Sequence, residues 1–75
     1  MSKYIVTDLV TNDVYPAEDP YEVGEAVYYL AGPDLTYSEE TELLEVLSDV
    51  NLWEQGYDFG TVVYPTLNIS IRSTQ

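Results

Sequence analysis

Between Ser38 and Asp49 the chain reads SEETELLEVLSD, five carboxylates in twelve residues with no Lys or Arg among them. On a soluble helix, opposite charges three or four residues apart add support and like charges subtract it. A helix built from this stretch must be held by its apolar stripe, Leu43, Val46, Leu47 and Val50, and must keep its acidic side away from other acids. The same imbalance runs through the whole chain. Fourteen Asp and Glu stand against Lys3 and Arg72, a formal net charge of −12 in 75 residues. Self-repulsion on that scale works against a compact state, and high net charge is one mark of disorder. The other mark, low hydrophobicity, is missing: 45% of the residues are hydrophobic and eight are Tyr. Composition therefore indicates a folded chain.

The length indicates one domain, residues 1–75, close to the lower limit at which a core holds a chain unaided. With no Cys and no His, there is neither a disulfide staple nor a zinc site of thiolate or imidazole ligands. The start, MSKYIVTDLVTND, lacks the basic and long apolar segments of a signal peptide, and no window approaches the roughly 18 apolar residues of a membrane span. The expectation is a soluble protein of the cytoplasm without a membrane partner.

Tyr4 to Val10 are rich in β-branched and apolar residues, followed by the turn-prone Thr11-Asn12-Asp13 and then Val14-Tyr15-Pro16. This predicts a strand, a turn and a short second strand that Pro16 stops or marks as an edge. Ile5 and Leu9 should face one side of the first strand, with Val6, Asp8 and Val10 on the other. Asp19-Pro20-Tyr21-Glu22 has an N-cap, a proline at the first helical position and a Glu three residues after the cap. Val23, Ala26, Val27 and Leu30 then recur at helical spacing until Gly32-Pro33; Glu22, Glu25, Tyr29, Tyr21 and Tyr28 fall away from that stripe.

A second helix starts at Thr36, with Glu39 completing a capping box, or at Ser38, and ends near Gly56. Glu42, Glu45 and Asp49 share a side of it, while Glu39 and Glu40 lie in the first turn, where the helix dipole favours anions. Thr61 to Tyr64 and Leu67 to Ile71, separated by Pro65, read as one kinked strand or two short ones, with Leu67, Ile69 and Ile71 on the buried side. The order β-β-α-α-β predicts an α+β domain: a small, mainly antiparallel sheet covered by two helices.

The residues needed for catalysis are scarce. Without His or Cys the common general base and soft metal ligands are absent, and a domain this small offers little cleft in which to tune a carboxylate pair. No enzyme activity, cofactor or metal site is expected. The stretches 13–22 and 49–58 lack the ligand pattern of an EF-hand, and the four Gly do not form a phosphate-cradling loop. Direct nucleic-acid binding rests on Lys and Arg neutralising phosphates, so this chain is not expected to bind DNA or RNA.

The inverse is open to it: a protein with this surface can bind what DNA binds. Duplex DNA carries one charge per roughly 3.4 Å of rise on each strand, and carboxylates three or four residues apart on a helix are separated by roughly 4.5–6 Å of rise. Glu42, Glu45 and Asp49 make one such row. Glu22 and Glu25, preceded by Glu18 and Asp19, make another. In size, acidity, helix patterning and abundance of Tyr the chain resembles the phage-encoded DNA-mimic inhibitors of host DNA-processing proteins, and among them the small staphylococcal-phage inhibitors of the bacterial sliding clamp. The resemblance is one of charge and size over the whole chain, without a shared motif. It implies a non-enzymatic inhibitor, acting in the cytoplasm of a host cell, that occupies the basic DNA-binding surface or channel of a host protein, steered there electrostatically.

The candidate contact residues are Glu22, Glu25, Glu39, Glu42, Glu45 and Asp49 with Tyr21, Tyr28 and Tyr29; Tyr37 and Tyr57 are further aromatic candidates, since Tyr is enriched at interfaces. A solvated helix face, or adaptation to high salt, is the plainer account of an acidic stripe; the chain-wide imbalance favours function. About half of the Tyr are expected in the core, and Trp53 adjoins the apolar stripe as core or subunit contact. A homodimer, joined by an exposed edge strand or around Trp53, would relieve the small core. The competing reading is a small acidic adaptor or antitoxin-like module whose basic protein partner is unrelated to DNA.

Overall fold

The computed structural model describes residues 3–74. The expected domain span of 1–75 and the leader reading at Met1 and Ser2 extend outside that range. Strand β1 (Tyr4–Asp8) stops two residues before the predicted Val10. The Asp8 carboxylate accepts the Val10 N–H at 2.8 Å, and the Asn12 N–H reaches the Asp8 carbonyl at 2.7 Å. Such a side-chain bond offers the backbone a turn in place of the ladder, so Leu9 and Val10 lie exposed at the tip instead of in a strand. The chain returns as β2 (Val14–Ala17), antiparallel to β1, with Pro16 opposite Ile5. β2 is an edge strand, where a residue lacking an N–H is tolerated.

Helix α1 (Pro20–Ala31) begins as its sequence indicates. Asp19 accepts the Glu22 N–H at 2.8 Å, and the Glu22 carboxylate in turn accepts the Glu18 N–H at 2.7 Å. Gly32, at φ +83°, ends it. Helix α2 (Tyr37–Glu54) starts from Thr36, not Ser38. The Thr36 hydroxyl accepts the Glu39 N–H at 3.2 Å, and the Glu39 carboxylate accepts the Thr36 N–H at 3.0 Å, which satisfies two of the donors that a helix start leaves open. At the other end Gly56 takes φ +103° and the Tyr57 N–H reaches back to the Leu52 carbonyl at 3.1 Å, a left-handed stop that glycine accepts without a Cβ penalty.

Pro65 separates two strands, β3 (Thr61–Tyr64) and β4 (Ile69–Ser73). Leu67 is in the turn between them, half-buried against the core, and Asn68 there adopts φ +55°. The sheet runs β2-β1-β4-β3, antiparallel throughout, so the mixed α+β architecture is the expected one, in the order β-β-α-α-β-β with the final strand divided into two. The last strand fills the centre beside the first.

Alternation along the strands divides the sheet into two faces. Tyr4, Val6, Ala17, Tyr64, Ile69 and Ile71 on the inner face form a single core with Val23 and Val27 of α1 and Val46, Val50 and Trp53 of α2. Trp53 is 5% exposed, its ring 5.9 Å from that of Tyr4 and 5.4 Å from that of Phe59. This corrects the idea of Trp53 as a subunit contact: packing inside the domain already covers it. Among the described residues, no layer covers the outer face. Val14, Pro16, Thr61, Val63 and Arg72 are exposed there, around half-buried Ile5, Thr7 and Ser70.

Candidate partner-binding surface

Among the described residues no polar or charged one is buried, so the fourteen carboxylates, all of them described, reach solvent in some degree. They are not evenly spread. α1 carries Glu22 and Glu25, and α2 carries Glu39, Glu40, Glu42, Glu45, Asp49 and Glu54. The outer face of the sheet carries none. Both helices pack on the inner face, so the negative charge is concentrated on the helical side of the molecule.

Several of these carboxylates have work inside the fold. Glu42 accepts the Leu67 N–H at 2.9 Å, and Asp49 accepts the Tyr64 hydroxyl at 2.7 Å. Together they tie α2 to the β3–β4 hairpin. Burial pushes the Tyr64 phenol above its ordinary range, and the bond to Asp49 and the nearby charges of Asp49, Glu45 and Glu42 push it further. At the other end of α2, Glu54 accepts the Tyr4 hydroxyl and lies 3.4 Å from the Lys3 ammonium. Burial, then the bond to Glu54, raises the Tyr4 phenol. The Glu54 carboxyl is held below its usual value first by that hydrogen bond; partial desolvation opposes the shift and Lys3 assists it.

The predicted contact residues therefore separate into two groups. Glu22 and Glu39 are folded back on their own helix starts, and Glu42 and Asp49 grip the hairpin. Glu25 and Glu45 are exposed, as is Glu40 in the first turn of α2. The row Glu42, Glu45, Asp49 keeps its helical spacing, with Glu45 projecting between two anchored neighbours. Reversing all three charges together would disturb folding and binding at once.

The aromatic candidates converge more closely. Tyr21, Glu25, Tyr28 and Tyr29 line one groove of about 470 Å³ with Pro20, Gly24 and, from α2, Leu47. Tyr37 belongs to a second hollow of about 270 Å³ with Glu42 and Glu45, and Tyr57 to a third beside Trp53 and Asp58. Of the eight Tyr, Tyr4 and Tyr64 are buried and Tyr15 is half-buried against the core, fewer than the expected half.

Sequence reasoning missed the phenol-to-carboxylate bonds that join sheet and helix, because each spans 15 or 50 residues and no local spacing encodes it. It also missed the acid-free sheet face, which emerges only once strand order is known. Comparison with protein-family models, curated proteins and solved structures found no match to this chain.

Proposed function

We propose that this chain is a non-enzymatic DNA mimic, an inhibitor that occupies the basic DNA-binding surface or channel of a host DNA-processing protein, the replication sliding clamp being one such target. The observation that supports this reading is the segregation of charge: eight carboxylates on the two helices and none on the opposite face of the sheet. A domain kept soluble by charge alone has no need to leave one whole face without acid. A one-sided array presents a dense negative field to a basic groove, speeds encounter and suppresses neutral or acidic partners. No helix among the described residues is long and apolar enough to cross a membrane.

Competition tests the proposal. The immobilised protein is expected to retain from bacterial lysate a DNA-processing protein that short duplex DNA releases, with affinity that drops as salt rises. A partner that salt releases but saturating duplex DNA does not would sink the mimic reading in favour of an adaptor with another basic partner.

The proposal includes a second copy. Two chains of charge −12 repel wherever their helical sides meet, so they associate most readily through the acid-free outer sheet face, leaving both acidic layers outward. Sedimentation equilibrium should find a dimer that Val63→Glu converts to monomer, because the substitution places a carboxylate on that face, on its edge strand β3. A monomer at every concentration for the unmodified chain would remove this element.

A further inference from the structure

The groove on α1 has features that the charge pattern does not account for. Tyr21, Gly24, Glu25 and Tyr28 stand at i, i+3, i+4 and i+7, on one side of the helix. Tyr21 is 75% exposed, Tyr28 50% and Tyr29 73%, so burial in the core does not explain these rings. Between them lies glycine, which is unfavourable in a helix interior relative to alanine. A Cβ there would sit 3.4 Å from the Leu47 side chain, an ordinary contact, so close packing does not demand glycine either. What Gly24 does is leave a notch in the groove that Tyr21, Tyr28, Tyr29, Glu25 and Leu47 also line.

We infer that this notch is a receptor for an arginine side chain of the protein partner. This deepens the mimic reading and rests on it, since it names the contact that the basic partner makes. The occupant must be cationic. Glu25 is the charged side chain lining the groove, and it sits in a chain of net charge −12. Between the two cationic side chains, aromatic walls select the guanidinium. It is planar, more weakly hydrated than an ammonium, stacks on ring faces, and meets a carboxylate through two parallel N–H donors. Lysine would retain its hydration and gain little from the rings. The groove is shallow and open to solvent, and its volume of about 470 Å³ accommodates the side chain with adjoining backbone. DNA-binding surfaces are rich in arginines that otherwise hold phosphate, so such a partner has the anchor to offer.

The test is an NMR titration of the isotope-labelled full chain at physiological ionic strength, using two short Gly/Ser peptides of equal charge, one carrying arginines and the other lysines. The arginine peptide should bind about fivefold or more tightly than its lysine twin, a difference of about 1 kcal/mol, with shifts centred on Tyr21, Gly24, Glu25 and Tyr28. The double variant Tyr21→Ala/Tyr28→Ala should abolish the preference. Glu25→Gln should weaken the arginine peptide more than the lysine one. Both variants alter exposed side chains, and unchanged spectra elsewhere would verify the fold. Equal binding of the two peptides, or shifts centred on α2, would overturn the arginine receptor while leaving the acidic-surface reading in place. Failure of both peptides to bind would overturn both readings.

Discussion

Trp53→Ala is expected to remove a large share of the chain's stability, by far the most of any truncation at this junction. The indole fills the junction between the last turn of α2, the start of β1 and the 55–60 connection, packed against Tyr4 and Phe59. Truncating a buried Trp costs about 3–5 kcal/mol through lost transfer energy and the cavity left behind. At roughly 0.05–0.15 kcal/mol per residue, a chain of this length holds only about 4–11 kcal/mol in total, and its net charge works against it. Trp53→Phe should behave differently. The buried indole N–H has no hydrogen-bond partner among the described residues, a condition that costs about 1–3 kcal/mol; phenylalanine removes the orphan donor and keeps a ring between Tyr4 and Phe59. Urea melts followed by far-UV circular dichroism should therefore rank Trp53→Phe near the unmodified chain and Trp53→Ala far below both. A Trp53→Ala protein melting within a few degrees of the parent would show that this junction is not what holds the helix to the sheet.

The elements that announced themselves in the sequence did so through local chemistry. Asp19-Pro20 with Glu22, Thr36 with Glu39, Gly32 and Gly56 each place a helix end by bonds within a few residues, and all four occur where the pattern puts them. The alternation of Ile69 and Ile71 with Ser70 and Arg72 likewise identified the buried side of β4. Thr36 prevails over Ser38 because only Thr36 stands three residues before Glu39, the spacing at which side chain and backbone exchange both bonds. Asp8 was legible as a strand residue and illegible as a strand end, since its carboxylate competes with the ladder for the backbone only when the turn beyond it closes. The candidate site divides along the same line. Exposure of Tyr21, Tyr28 and Glu25 follows from helical phase alone. The anchoring of Glu42 and Asp49 depends on where the β3–β4 hairpin docks, a tertiary fact with no local trace.

That division gives the charge row on α2 a sharp experimental signature, because binding and folding can be separated within it. In Glu40→Lys/Glu45→Lys each substitution changes the charge by two, taking the chain from −12 to −8. Neither carboxylate anchors the hairpin. Losing Glu40 from the first turn costs about 0.3–1 kcal/mol of dipole interaction, and a lysine at 45 recovers about 0.2–0.5 kcal/mol from each of Glu42 and Asp49 on the same side. Stability should change by less than about 1 kcal/mol. In Glu42→Lys/Asp49→Lys the overall charge is identical, but the Leu67 N–H loses its acceptor and the Tyr64 hydroxyl is left buried without one, a loss of roughly 2–5 kcal/mol for the pair. The first variant should fold like the parent and bind the proposed basic partner about 10- to 100-fold more weakly, since each exposed pair contributes about 0.2–1 kcal/mol and reversal converts that attraction into repulsion. The second should melt far earlier. If Glu40→Lys/Glu45→Lys bound undiminished and remained equally sensitive to duplex DNA, the phosphate-like surface would have to be sought off α2. If Glu42→Lys/Asp49→Lys were as stable as the parent, the hairpin would be held by its apolar contacts alone, and the anchoring role given to these carboxylates would fall.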